Sequence, residues 1–331
     1  MTEAELLELR NGLPTGKKWK LALLAASIIV LALLPLLLGD SYTVHVLILT
    51  FIYLVAAVSF RTISISGQFS IAHGAFMGIG AYTAGMASKW LNIPPWLSLP
   101  MGGVAAMIIG MGFNYPFSRL RAIYYAMGSL FFGVVIINVI SVGGDLTGAY
   151  SGLPGIHPIF SSRVSYYYLF LALAIFSIIA LHRFEFSRIG WTLKAIAQSH
   201  LVASSVGINE GWYRVLAVGV GSFFVGLIGA AYAHYNMVIS PSSFNLGATL
   251  WICMYVLIGG IYSFAGPIIG TAILVIIPEF FRDLKVYSPY VSAAILIIIV
   301  YLMPDGLAGL PRLVRLRMLR HRERKEVSRT A

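Results

Sequence analysis

Apolar runs about long enough for a helix to cross a bilayer, roughly 20 residues, recur along this chain with only short polar gaps between them. Such a pattern leaves little choice of solvent. Only 11% of the 331 residues are charged and 59% are hydrophobic, whereas soluble domains carry about 25% charged residues. In lipid, every backbone N–H and C=O must find its partner within the protein, so the options are a helical bundle or a closed barrel. The length of the runs selects the bundle. The expected fold is an all-α integral membrane protein of ten spans, at residues 20–38, 42–60, 66–88, 95–116, 123–142, 165–182, 213–235, 245–261, 265–278 and 288–303. The ninth is short and holds Pro267 and Pro278, so a tilted, broken or re-entrant piece is expected there. A polar segment at 1–19 precedes this membrane domain of residues 20–310, and a basic tail at 311–331 follows it.

Charge sets the expected orientation. With both termini in the cytoplasm, only Lys89, Arg163, Arg282 and Lys285 of the 23 Lys and Arg fall outside, as the positive-inside rule requires. The early acids Glu3, Glu5 and Glu8 and the missing small-residue cleavage site make 20–38 a retained span, not a cleaved signal. The net charge of +11 is largely that topology plus the tail RLVRLRMLRHRERK, which reads as an anchor near anionic headgroups. No folded nucleic-acid module accompanies it. A single cysteine, Cys253, rules out an intrachain disulfide, and seven scattered histidines argue against a zinc site.

Two stretches break the apolar pattern. The first is a polar island at 184–213. One helix is expected over 191–206, bracketed by Gly190 and Gly207, with Leu193, Ile196, Ala197 and Leu201 at helical spacing. Lys194 and Gln198 lie off that arc, His200 and Ser204 fall inside it, and Val202 and Val206 fall outside. A helix gripped on two sides and an ordinary surface helix both fit. The second stretch is 64–84, SISGQFSIAHGAFMGIGAYTA. Ser66, Gln68, Ser70 and His73 put hydrogen-bonding groups at membrane depth, where they face a bundle interior or a watered path. Gly74 and Gly78 offer a small-residue face for close helix approach, and Gly67 a possible break. A pathway wall and a packing seam are both open readings. Gly259, Gly266 and Gly270 repeat the spacing of Gly67, Gly74 and Gly78, which chance explains in a chain with 33 glycines.

What is missing narrows the function. No phosphate-cradling G-x-x-x-x-G-K-[ST] occurs; GLPTGKK at 12–18 is one residue short and lacks the hydroxyl. No metalloprotease, serine-hydrolase or C-x-x-C motif is found, and no acid lies deep in a span to serve a proton relay. His45, His73 and His234 alone make a poor one. The chain has no visible means of powering transport, yet it presents a polar helix on which another protein can push. The alternative is an ATP-independent secondary transporter or channel.

Several segments in order resemble one family. Ser66-Gly67-Gln68-Phe69-Ser70, His73-Gly74-Ala75-Phe76 and Gly78-Ile79-Gly80-Ala81-Tyr82 are similar to a signature of branched-chain amino-acid ABC importer permeases, the larger of their two paired types. Thr147-Gly148, Ser151-Gly152-Leu153 and Gly155-Ile156 resemble that family's external loop. Ser187-Arg188-Ile189-Gly190, Ala195-Ile196 and Gly207-Ile208-Asn209 with Tyr213 resemble its coupling segment. Ala233-His234-Tyr235, Ile239-Ser240-Pro241, Gly266-Pro267 and Pro304-Asp305-Gly306 follow in order. The resemblance implies a multi-pass subunit of the prokaryotic plasma membrane without catalytic residues, cofactor or metal. Cytoplasmic ATPase subunits, a second permease subunit and an external solute-binding protein would work with it. ATPase coupling would fall to Arg188, Gly190, Lys194, Ala195, Ile196, His200, Ala203, Ser204, Gly207, Ile208 and Asn209. The translocation pathway would use Ser66, Gly67, Gln68, Ser70, His73, Gly74, Tyr82, Thr147 and Ser240. Three departures stand out. His200 and Ser204 replace a usual acid and arginine, implying contact through packing more than charge. Ile261-Tyr262-Ser263 follows Gly259-Gly260 in place of Leu-Gly-Ser, and Ala149-Tyr150 in the external loop leaves the solute open.

Overall fold

The computed structural model describes residues 30–35, 41–120 and 122–280, with the single positions 290, 297 and 306. The segment 1–19, most of the spans 20–38 and 288–303, and the tail 311–331 lie outside the described residues, as does the closing glycine motif apart from Gly306. The chain order is α1 (Ser41–Ser64), α2 (His73–Trp90), α3 (Pro95–Phe117), α4 (Ala122–Ser141), β1 (Leu153–Pro154), α5 (Arg163–Glu185), α6 (Arg188–Gln198), α7 (His200–Ser205), α8 (Glu210–Asn236), β2 (Val238–Ile239), α9 (Leu246–Gly259) and α10 (Ala265–Phe280).

Among the described residues, six helical stretches are long and apolar enough to cross a membrane. They fall on the expected spans 42–60, 95–116, 123–142, 165–182, 213–235 and 245–261. One expectation needs correction. The span at 66–88 starts only at His73, because α1 ends at Ser64 and Gly67 turns the backbone at φ +80°, a conformation that a side chain resists. The ninth, expected to be short, is the 16-residue α10, which is not counted among the six.

α8 is the central helix, with 78% of its most apolar window buried, and α4 the most peripheral at 22%. Lipid offers no hydrophobic drive between helices, so close backbone approach must hold the centre together. Small residues permit it. A Cβ on Gly80 of α2 would strike the Gly226 carbonyl of α8. One on Gly102 of α3 would sit 2.8 Å from Ala230 Cβ, and one on Gly110 would meet Ser222 Cβ at 2.9 Å. Aromatic rings fill the wider gaps, as where Phe113 stacks on Phe132 at 4.1 Å.

The bundle has two ends. At the far end, β1 and β2 form an antiparallel ribbon with Leu153 opposite Ile239 and Pro154 opposite Val238. His234 ties this end shut, lying 2.7 Å from Ser98 Oγ and 2.7 Å from the His157 carbonyl. The near end gathers the link after α1, the turn after α3, the helices α6 and α7, and the turn after α9.

Candidate functional site

Local capping chemistry builds the near-end segment. Ser187 accepts from the Gly190 amide and starts α6. Gly190 is therefore inside the helix and not the expected breaker; a Cβ there would overlap the Glu185 carbonyl. The single helix expected over 191–206 is also corrected. Ser199 is extended, at φ −156° and ψ 104°, and its hydroxyl accepts from Val202 N to open the separate helix α7. The apolar arc does not survive that break. Leu193 and Ile196 are buried, but Ala197 and Leu201 are exposed. Gly207, at φ +80°, ends α7, and the Ile208 amide donates back to the Ala203 carbonyl at 3.1 Å. Asn209 then caps α8 by accepting from Trp212 N.

A buried charge cluster anchors this segment to the bundle. Arg61, near the end of α1, pairs with Glu185, near the end of α5, and both are at most 2% exposed. Lys194 of α6 reaches the other carboxylate oxygen at 2.9 Å. Arg61 also donates to the carbonyls of Ile261 at 2.9 Å and Tyr262 at 3.5 Å, and its guanidinium sits 5.7 Å from the Phe264 ring. The departure Ile261-Tyr262-Ser263 thus lies directly on this cluster. Lys194 packs its ammonium over Phe186 and Trp191 at 4.8 and 4.9 Å. Burial, and then the repulsion of Arg61, hold that ammonium below the ordinary lysine range. A second contact joins α6 to the link after α1, where a Cβ on Gly67 would lie 3.4 Å from Ala197 Cα.

The expected coupling residues divide by face. Gly190, Ile196 and Ala203 turn inward; Lys194, His200 and Ile208 are half-buried; Arg188, Ala195, Ser204, Gly207 and Asn209 are exposed. Beside them Trp191, Leu201, Val202 and Val206 stand exposed at 59%, 68%, 63% and 69%. Among the described residues, α6 and α7 therefore present an apolar knob that contains no acid.

The expected pathway residues form two groups and not one wall. Near the link, Gln68 donates to the Ser118 carbonyl at 3.4 Å and accepts from Asn114 at 3.5 Å, while Arg214 donates to the same carbonyl at 3.0 Å. Ser66 donates to Ile63 O, and Ser70 accepts from Ala72 N. His73 is fully buried, with Nε2 2.9 Å from Ser59 Oγ and no hydrogen-bond partner at Nδ1. The Gly74 amide donates to Thr249 Oγ1 at 2.9 Å. At the far end Tyr82 donates to Ile239 O at 3.4 Å, Thr147 to Ile140 O at 2.7 Å, and Ser240 pairs with Ser242. Within one copy of the chain, these groups are chiefly satisfied by neighbouring carbonyls and side chains outside the expected set.

Sequence reasoning missed Arg61 and Glu185 as partners. One signal was available: Glu185 is the sole acid between Asp145 and Glu210. Their pairing across 124 positions was not legible.

Comparison with known proteins follows the same lines. The profile of the family described as the permease component of branched-chain amino acid transport systems matches residues 42–304. The chain is 24% identical to the high-affinity branched-chain amino acid transport system permease protein LivM of Escherichia coli K12, over 90% of this chain and 77% of that one. It is 25% identical to the corresponding protein LivH of Salmonella typhimurium, over 83% and 93% of the two chains. No solved structure gives a significant match.

Proposed function

The chain belongs to the family of branched-chain amino acid transport system permease components, and from that premise we propose that it is the membrane-spanning subunit of an ATP-binding-cassette importer. It moves branched-chain amino acids or related small polar solutes inward across the plasma membrane, with both termini and the near end facing the cytoplasm. It hydrolyses no ATP itself; separate ATPase subunits do so. A second permease subunit completes the pathway, and an external binding protein delivers the solute at the far end.

The observation that carries this reading is the attachment of α6. A soluble ATPase finds no grip on lipid-facing helices, but α6 and α7 offer an exposed apolar knob. That knob is tied through Lys194 and Glu185 to α1 and α5, and through Ala197 to the break after α1. Rigid elements with defined contacts transmit a push; loose loops do not. ATPase closure would therefore tilt α1 and α5 with α6 and shift the hinge at Gly67.

The test is a cysteine at Val202 in a chain whose Cys253 is replaced by serine. Within the assembled importer, a short bifunctional reagent should join Val202→Cys to the ATPase, in an ATP-dependent yield. Efficient labelling of Val202→Cys from outside intact cells would reverse the assigned orientation and remove the reading.

A further inference from the structure

We propose that the cavity between α4 and the start of α9 is a contact site for the transported solute. This inference rests on the permease reading, and it assigns the site to a face on which Ala75 alone belongs to a sequence motif.

The cavity encloses about 240 Å³. Ile71 and Ala75 form its floor, Val134 and Asn138 its α4 wall, and Asn245 and Thr249 its α9 wall. It lies at depth. Thr249 holds the Gly74 amide, and the neighbouring His73 contacts Ser59, more than a turn inside the end of α1. It is also open on the peripheral side, where Val134, Asn138 and Leu246 are exposed. A larger cavity of about 360 Å³ lies at the near end, among Tyr115, Arg119, Asn209 and Trp212; this one offers room at membrane depth, where the polar interior described above is closed by its own hydrogen bonds.

Three features of the lining set the chemistry. First, none of the described residues that line the cavity is charged. Desolvating a charge without a partner is costly, so any charge on the occupant must be balanced by an opposite one on the same molecule. Second, hydrogen-bonding capacity remains. Asn138 uses its amide nitrogen on the Val134 carbonyl, which leaves its oxygen to accept. Asn245 uses its oxygen on Ala248 N, which leaves its amide nitrogen to donate. Thr249 Oγ1 accepts from Gly74 N, and its own hydroxyl hydrogen is left as a donor. Donors and an acceptor together fit a carboxylate and an ammonium on one small molecule. Third, Ile71, Ala75 and Val134 supply an aliphatic wall, and the volume is below the roughly 300–1,000 Å³ of sites for drug-sized ligands. The ligand class is a small zwitterion with an aliphatic side chain.

The experiment uses the complete importer in liposomes, with Cys253→Ser as background and Val134→Cys as reporter. A membrane-permeant maleimide is applied with and without L-leucine. Leucine at ten times its KM should slow labelling of Val134→Cys about tenfold by simple occupancy. L-glutamate and L-lysine should not slow it, and the exposed neighbour Val135→Cys should label equally in all cases. Asn138→Leu, on an exposed position that folding tolerates, should raise KM roughly tenfold for the loss of one hydrogen-bonding group, with the maximal rate retained. Unslowed labelling in an importer that still takes up leucine with ATP would overturn the site and leave the permease reading standing, as would a complete failure of Val134→Cys to label. An unaltered importer that takes up no leucine with ATP would instead sink the permease reading, and this site with it.

Discussion

Replacing Glu185 by glutamine tests the cluster that joins α6 to the bundle. The change is nearly isosteric but removes the negative charge facing Arg61, which is only 2% exposed. Removing one partner of a buried pair costs about 3–5 kcal/mol, because the other charge stays buried without compensation. Arg61 keeps the carbonyls of Ile261 and Tyr262, which places the expected loss near the lower end, about 3 kcal/mol, or more than a hundredfold in an equilibrium constant. Lys194 differs. Its side chain is 27% exposed and can turn to water, so Lys194→Gln should cost only about 1 kcal/mol or less. The combined Arg61→Met and Glu185→Leu variant should recover most of the loss, since an apolar pair of similar volume is often as stable as a buried ion pair. Denaturant unfolding of the detergent-solubilised chain reads all four proteins. The reasoning is refuted if Glu185→Gln matches the parent, or if the paired replacement is as unstable as the single one.

Four further outcomes are expected. Gly80→Leu should push α2 off α8, since even a Cβ there meets the Gly226 carbonyl; thermal stability should fall by at least about 1–3 kcal/mol. Gly207→Val meets no atom within 4 Å but forces a β-branched residue to φ +80°, at roughly 1–2 kcal/mol. It should leave insertion intact and lower transport per ATP hydrolysed, which paired uptake and phosphate-release assays measure. Ser199→Ala removes the cap of α7 at about 1 kcal/mol, visible as faster hydrogen exchange at the Val202 amide. His73→Ala removes the contact with Ser59 from a fully buried site, so stability should fall, by roughly 2–4 kcal/mol, before KM changes. A raised KM at unchanged stability would instead support a place for His73 on the pathway.

Much of the architecture was written in hydropathy alone. Six expected spans correspond to helices because an apolar run near 20 residues has few other fates in lipid. Breaks were harder to place. Gly67 was visible as a weak point, but neither its φ of +80° nor the start of α2 as late as His73 shows in the hydropathy of the run. At 191–206 a continuous helix was expected because neither proline nor glycine interrupts it. The interruption comes from Ser199, whose hydroxyl serves the backbone better as a cap than within a helix. Ser187 carries the same signal for α6, and its cap sets the helix start ahead of Gly190. The candidate site was legible as a segment and not as a mechanism. Lys194 stood out as a polar position on a helix, but the carboxylate that binds it and the guanidinium behind that carboxylate come from other helices. Tertiary contacts of this kind leave no periodicity to read.

The central claim is that this chain forms a path powered from outside itself. The most direct test is uptake of labelled leucine into liposomes holding this chain and its second permease, with and without the ATPase subunits, in the presence of the binding protein and ATP. Accumulation above the external concentration only when the ATPase is present is the predicted result. Accumulation by the membrane subunits alone would contradict it.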